Sequence, residues 1–258
     1  MREIFIRVKN EEQLRAAQEC LGKFNCEQKA FLLYPVYLKA VPGNEWAGIF
    51  TDLSYIFREN ERKNIEEMLD GTETSGMVVK NIDEMGFLKA RGYTGEVIAD
   101  SFLYAYNREA IRFYKEQFAD IIFMLPDELT DDEVNKMQES SDGIYKVYGR
   151  QPVMFTAQSI AGNYGTEGMV RLESLKKDAL IAVDEPFGYT TVYTDDPVSM
   201  IDKSEIPGRD RIMVDFTVEN AADVEAVLES VLSAANGNAA AAVVDIRAGR
   251  GHHFRGID

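Results

Sequence analysis

The chain has 258 residues, 45% of them hydrophobic, and 44 acidic against 28 basic side chains give it a formal net charge of -16. This length allows one large domain with a sizeable core, and the apolar runs are far shorter than the roughly 20 residues that a membrane helix needs. The negative charge disfavours non-specific binding to nucleic acid, which comes mostly from cations that neutralise phosphates. We therefore expect a soluble protein with no membrane partner.

The cysteines indicate a reducing compartment. The chain has two, Cys20 and Cys26, and Cys20 falls inside a helical pattern. We expect two reduced structural thiols rather than a disulfide. The opening residues 1–6 also lack the pattern of a signal peptide. The predicted location is the cytoplasm.

Short apolar runs alternate with amphipathic segments, a pattern typical of parallel strands joined by helices. The first unit is a strand over Glu3–Val8 and a helix over Glu11–Leu21. Six more strands are predicted at Ala30–Tyr34, Trp46–Thr51, Gly76–Lys80, Glu96–Asp100, Ala119–Leu125 and Tyr145–Tyr148, the last continuing at Val153–Phe155. Helices are predicted at Asn60–Leu69, Asp83–Ala90, Arg108–Gln117 and from Thr130 onward.

After the seventh strand the alternation stops. Residues 158–202 contain several glycines and two alternating stretches, Ala179–Val183 and Tyr189–Tyr193, which predict a β-hairpin excursion. The pattern returns with an eighth strand over Arg211–Phe216 and a long helix over Ala221–Ser233.

Eight strands with their helices predict an α/β protein of the (β/α)8 TIM-barrel type, with the hairpin excursion after strand seven. The barrel would occupy residues 1–235, and residues 236–258 would form an Ala/Gly-rich connector and a cationic tail. An open doubly wound sheet is the alternative architecture.

Polar residues stand where the predicted strands end, which is where barrels of this type place their chemistry. Such carboxylates could act as general acid and base, or hold a divalent cation through oxygen ligands. They could equally cap the helices that follow or tie down loops. The strand-end residues are Tyr34, Asp52, Lys80, Asp100, Ser101, Glu128, Tyr148, Arg150, Asp215, Thr217 and Glu219.

The tail holds both histidines of the chain, His252 and His253, beside Arg255. Imidazole titrates near neutral pH, and guanidinium groups bind carboxylate or phosphate, so this segment is a candidate for chemistry. The alternative is a solvated, poorly ordered terminus.

Four segments in order resemble the collagenase-like peptidase family U-32, in particular the later part of its longer members. They are Val147–Thr156, with Tyr-Gly-Arg-Gln-Pro, then Val192–Asp202, then Met213–Thr217, with Asp-Phe-Thr, and finally Gly251–Gly256. The resemblance covers roughly residues 145–258 and implies a barrel fold. Among the residues that match the family, it implies His252 and Asp215 as catalytic candidates and Arg150 and Arg255 as substrate-binding candidates. His253 stands where the family has phenylalanine and is a further catalytic candidate, and Tyr148 is a further substrate-binding candidate.

The sequence also departs from the family pattern. Some members use a four-cysteine iron-sulfur cluster to hydroxylate RNA bases or quinone precursors, but Ser159 stands where a cysteine is expected. An iron-sulfur cluster needs about four thiolates, which two cysteines cannot supply. We therefore expect no such cluster, leave the cofactor unassigned, and retain a divalent metal as an alternative.

The leading hypothesis is a peptidase-like hydrolase that acts on a peptide or protein substrate. In it, His252 acts as acid or base, Asp215 orients the imidazole or a metal-bound water, and Arg150 with Arg255 holds a substrate carboxylate. The second hypothesis is a non-catalytic or degenerate domain that binds a partner or assists an RNA-modifying hydroxylation system without a cluster of its own.

Overall fold

The computed structural model of the chain describes residues 2–23, 28–39, 42–43, 45–56, 58–70, 72–130, 132–136, 142–201 and 210–236. The tail candidates His252, His253 and Arg255 lie outside the described residues, as does Cys26. Cys20 is a buried free thiol, and burial raises its pKa to about 11.

The larger of two sheets consists of eight parallel strands and one short antiparallel strand at its edge. Its order is β12, β7, β13, β1, β2, β3, β4, β5, β6. The strands are β1 (Glu3–Arg7), β2 (Lys29–Pro35), β3 (Gly48–Asp52), β4 (Gly76–Val79), β5 (Glu96–Ala99), β6 (Ile121–Phe123), β7 (Tyr145–Gly149), β12 (Val198–Ser199) and β13 (Arg211–Asp215).

This sheet is curled, so that β6 approaches β7. Met124 and Ile144 form an isolated parallel bridge between the two strands. Around it, the backbone N–H of Ile144 donates to Phe123 O at 2.7 Å and that of Leu125 donates to Ile144 O at 2.9 Å.

The smaller sheet is antiparallel and forms most of the predicted excursion. It consists of β8 (Pro152–Thr156), β9 (Met169–Glu173), β10 (Ala179–Glu185) and β11 (Tyr189–Thr194), in the order β8, β11, β10, β9. The pairing of β10 with β11 confirms the predicted hairpin. The predicted continuation of the seventh strand at Val153–Phe155 is wrong, because these residues lie in β8 and pair with β11.

Within the described ranges six helices accompany the sheets, and residues 132–136 are helical as well. The helices are α1 (Glu11–Lys23), α2 (Arg62–Asp70), α3 (Ile82–Ala90), α4 (Arg108–Gln117), α5 (Ile160–Asn163) and α6 (Ala221–Ala235). Asparagine side chains cap four of them, and Asn220 forms a capping box with Asp223 at the start of α6. None of the helices in the described part of the chain has the length and apolarity to cross a membrane.

Two apolar cores lie on opposite faces of the large sheet. The larger core fills the space between the strands and the helices. The smaller core, which we call the inner cluster, receives side chains from each of the eight parallel strands or the residues that adjoin them. Its members are Phe5, Leu33, Phe50, Val78, Ile98, Met124, Ile144 and Met213. The architecture therefore confirms the predicted α/β class.

Candidate functional site

A small charged cavity lies at the carboxyl ends of the parallel strands, and we call it the chamber. Its volume is about 50 Å³. Met213 of the inner cluster lines it from below, and the smaller sheet contributes Phe155, Glu185, Tyr189, Thr191 and Tyr193 to its lining. With Glu185 included, five acidic and five basic side chains line the chamber, so that their formal charges balance.

The strand register places these charges above the inner cluster. Side chains two residues apart in a strand point to the same face. Arg7 lies two residues beyond Phe5, and the same spacing separates further pairs on five other strands. These pairs are Phe50 and Asp52, Val78 and Lys80, Ile98 and Asp100, Ile144 and Lys146, and Met213 and Asp215.

Arg7 is the centre of the largest ionic group in the chamber. Its Nη2 lies 2.5 Å from an oxygen of Asp100, and its Nη1 and Nε each lie 3.1 Å from an oxygen of Asp215 and Asp52, respectively. Burial alone would lower the pKa of Arg7, but the three carboxylates raise it well above its ordinary value. Burial alone would raise the pKa of Asp100, but Arg7 lowers it. The contact between Arg7 and Asp100 therefore favours the charged form of both side chains.

Lys80 forms a second ionic group with Asp52 and also donates to the carbonyl oxygen of Leu53. Glu84 lies behind Lys80 and accepts a hydrogen bond from its backbone N–H at 2.5 Å. Burial raises the pKa of Glu84 well above its ordinary value, although Lys80 opposes the shift. The other oxygen of Glu84, Oε1, is buried and has no hydrogen-bond partner among the described residues.

Asp127 and Lys146 form a third ion pair, which is partly buried. Burial raises the pKa of the Asp127 carboxyl even though Lys146 lies beside it. For Lys146, burial lowers the pKa, but Asp127 and Asp215 outweigh that effect and raise it. A carboxyl with a raised pKa beside an ammonium group is suited to proton transfer.

Lys9 joins the smaller sheet to the chamber wall. Its Nζ lies 3.2 and 3.3 Å from the two carboxylate oxygens of Glu185 on β10. Tyr193 on β11 also donates its hydroxyl to Glu185, at 3.1 Å. Ser54, which follows β3, donates to the hydroxyl of Tyr189 at 3.2 Å. Buried polar contacts therefore hold the smaller sheet over the strand ends.

A second cavity, which we call the vestibule, adjoins the chamber and has a volume of about 320 Å³. The rings of Tyr55, Phe102 and Phe155 line both cavities. The ring centroids of Tyr55 and Phe155 are 4.0 Å apart, and those of Tyr55 and Phe102 are 4.9 Å apart. Asp127 also lines both cavities, whereas Tyr104 and Glu128 line the vestibule only. The vestibule therefore forms an approach to the Asp127 and Lys146 pair.

The structure brings together six strand-end residues named from the sequence: Asp52, Lys80, Asp100, Ser101, Arg150 and Asp215 all line the chamber. Asp215 binds Arg7 there. Arg150 is ion-paired with Glu219, and its Nε donates to Asp195 O at 2.9 Å. Glu128 lies in the vestibule.

Tyr148, in contrast, packs in the larger core and donates its hydroxyl to Glu219 at 3.1 Å. The reason is a register shift, in which Met213 pairs with Lys146 but Val214 pairs with Tyr148. The extra residue in β7 reverses the alternation of faces beyond Lys146. Gly149 follows at φ 153°, and a Cβ there would lie 2.9 Å from the Cβ of Asp215. Glycine at this position lets the two strands approach closely.

Sequence reasoning did not identify Arg7, Lys9, Lys146 or Glu185 as site residues. A signal for Arg7 and Lys146 is present, since each is a charged residue inside an apolar strand and on the face of an inner-cluster residue. Glu185 carries no comparable signal, because its place depends on how the smaller sheet folds back.

Each carboxylate that lines the chamber forms an ion pair with one of its basic side chains. Within the described residues, no group of three or more histidine, cysteine, aspartate or glutamate side chains is arranged to hold a metal ion. The chemistry that these residues offer is proton transfer and charge stabilisation by carboxyl, ammonium and guanidinium groups.

No family model, curated protein or solved structure matches the chain.

Proposed function

We propose that the chamber and the vestibule form the active site of a hydrolase that acts on short peptides. The observation that carries this proposal is the set of buried ionic groups lining a cavity at the strand carboxyl ends. Moving an ion from water into a protein costs several kcal/mol, and apolar residues of similar volume would stabilise the fold at least as well. Such a costly arrangement is typical of an active site.

We also propose that the eight parallel strands close into a (β/α)8 barrel. The bridge between Met124 and Ile144 and the contribution of every strand to the inner cluster support this. Barrels of this kind carry their chemistry at the strand carboxyl ends, where the chamber lies.

In the proposed reaction, Asp127 is the general base and acid. Its carboxylate takes a proton from water as the water oxygen bonds to the peptide carbonyl carbon, and the carbonyl oxygen becomes an oxyanion. Lys146 stabilises that negative charge. As the carbon–nitrogen bond breaks, the Asp127 carboxyl returns the proton to the leaving amine. Arg7 and Lys80 hold the neighbouring carboxylates in place.

The dimensions of the site favour small substrates. The chamber accommodates a few atoms, and the vestibule is at the lower end of the roughly 300–1,000 Å³ of small-molecule sites. We therefore infer that the site acts on short peptides or on one end of a chain rather than within a folded protein.

The test is incubation of the purified protein with a mixture of short synthetic peptides, followed by mass spectrometry of the products. Wild type should release new termini, and Asp127→Asn should release none. Glu109→Gln, an exposed change on α4, should keep full activity. Failure of the wild type to cleave any peptide across the neutral pH range overturns the proposal.

A second candidate function is binding of a small polar ligand without turnover. It is favoured by the pairing within the chamber, where the basic side chains already contact carboxylates. A ligand that raises the melting temperature of wild type, in a protein that cleaves no peptide, would support this candidate.

A further inference from the structure

The lining of the vestibule combines aromatic rings with negative charge. Ten residues line it, four of which are aromatic, and its two charged side chains are Asp127 and Glu128. The chamber differs, because its basic and acidic side chains balance. A ligand therefore meets an acidic, aromatic surface before it reaches the ionic groups at the strand ends.

Glu128 is the carboxylate available to such a ligand. Asp127 is ion-paired with Lys146, whereas Glu128 has no cationic partner among the described residues. Burial and a hydrogen bond to Glu128 raise the pKa of Tyr106, so its phenol stays protonated and holds the carboxylate in place. The Glu128 carboxylate therefore lies beside the Tyr106 phenol and lines the vestibule.

Tyr104 provides an aromatic face beside it. The ring is 54% exposed and stacks on Tyr106 with 5.6 Å between centroids. Its backbone is left-handed, at φ 50°, a conformation that costs free energy in a residue other than glycine and is enriched at ligand sites. Together, Tyr104 and Glu128 present a ring and a carboxylate to the same cavity.

This combination selects for cations. The face of an aromatic ring attracts ammonium and guanidinium groups, and a nearby carboxylate strengthens the attraction. Anionic ligands are disfavoured by Asp127, by Glu128 and by the net charge of -16.

We propose that the vestibule binds an ammonium group of the ligand through Glu128 and Tyr104. This rests on the proposed function only for the identity of the ligand, which would be a peptide that bears a free amino terminus or a lysine side chain. The ammonium group would be held in the vestibule while the bond to be cleaved lies beside Asp127.

The first experiment measures equilibrium binding by calorimetry and needs no turnover. The probes are phenethylamine and its neutral analogue phenethyl alcohol, at neutral pH and low salt. Wild type should bind the amine at least about tenfold more tightly than the alcohol. Glu128→Gln keeps the acceptor for Tyr106 and should weaken amine binding about tenfold, with alcohol binding unchanged. Tyr104→Leu should weaken amine binding by a smaller factor.

The matched control is Glu173→Gln, which removes one carboxylate from the exposed strand β9 and should leave both affinities unchanged. Equal affinity for the two probes, absence of binding by either, or an unchanged amine affinity in Glu128→Gln would each overturn the inference.

A second comparison distinguishes the two sources of the ammonium group. One short peptide has a free amino terminus and no lysine, and the other has an acetylated terminus and one lysine. Preference for the first assigns the vestibule to the amino terminus, and preference for the second assigns it to lysine; binding of neither overturns the inference. Amine binding without peptide cleavage would refute the proposed hydrolase while leaving this inference intact.

Discussion

Asp127 and Lys146 form a partly buried ion pair at the point where the chamber meets the vestibule. Asp127 follows β6, and Lys146 lies within β7, so the pair also spans the place where the two ends of the parallel strand order approach each other. The pair therefore connects the architecture of the sheet with the proposed proton transfer.

Replacement of Asp127 by Asn should lower peptide turnover about 100-fold or more, because a positioned acid or base contributes about 10²–10⁴ to a rate. Lys146→Met should also lower turnover, through loss of charge stabilisation. The measurement is the steady-state rate on a peptide that wild type cleaves. If Asp127→Asn keeps more than about half of that rate, Asp127 is not the catalytic acid or base.

Arg7→Met should lower the free energy of unfolding by about 3–5 kcal/mol, because it leaves the buried Asp52 and Asp100 and the partly buried Asp215 without their shared cation. Urea denaturation measures this. Arg112→Met removes an exposed pair with Glu109 and should change stability by less than about 1 kcal/mol.

The effect of Arg7→Met should also depend on pH. Arg7 lowers the pKa of Asp100, so the stability from this contact is present above about pH 3.9, the unfolded value, and is lost as pH falls through the lower folded value. The difference between wild type and variant should therefore shrink on strong acidification. A difference that does not change with pH would contradict this account.

Glu84 should show the opposite dependence. Burial raises its pKa, so the folded protein retains a proton that the unfolded chain loses near about pH 4.3, and stability falls as the pH rises above that value. Glu84→Gln resembles the protonated form and removes this loss. Relative to wild type, the variant should gain stability from about pH 5 to pH 8 in urea denaturation. A constant difference over that range would show that the carboxyl is not protonated in the fold.

Lys9→Met should loosen the smaller sheet. The change leaves the buried Glu185 carboxylate without its cation, at an expected cost of about 3–5 kcal/mol. Amide hydrogen exchange should accelerate in β10 and β11 more than in β2 to β4. Lys63→Met, on the exposed face of α2, should leave the exchange pattern unchanged.

His252→Ala tests the role that the peptidase resemblance implies for the tail. If the imidazole is the acid or base, the variant should lose turnover with an unchanged melting temperature. The activity of wild type should then follow a group that titrates near about pH 6.5. Full activity in both His252→Ala and His253→Ala would assign the chemistry to the chamber alone.

The spacing of apolar residues predicted the order of strands and helices, because strands and helices bury one face and repeat their apolar residues with different periods. It also predicted Asp52, Lys80, Asp100 and Asp215 at the site, since parallel strands end on one edge. It did not predict that the Tyr148 side chain points into the larger core instead of the chamber, because the register shift in β7 depends on the pairing with β13. Nor could it predict Glu185, which reaches the chamber through the long-range folding of the smaller sheet.

The position of β1 has a consequence for synthesis. β1 pairs with β2 on one side and with β13 on the other, so Arg7 meets Asp215 only after more than two hundred intervening residues have been made. During translation β1 therefore has one edge unpaired until residues 211–215 have left the ribosome. A nascent chain stalled before residue 210 would expose that edge to pairing with other polypeptides.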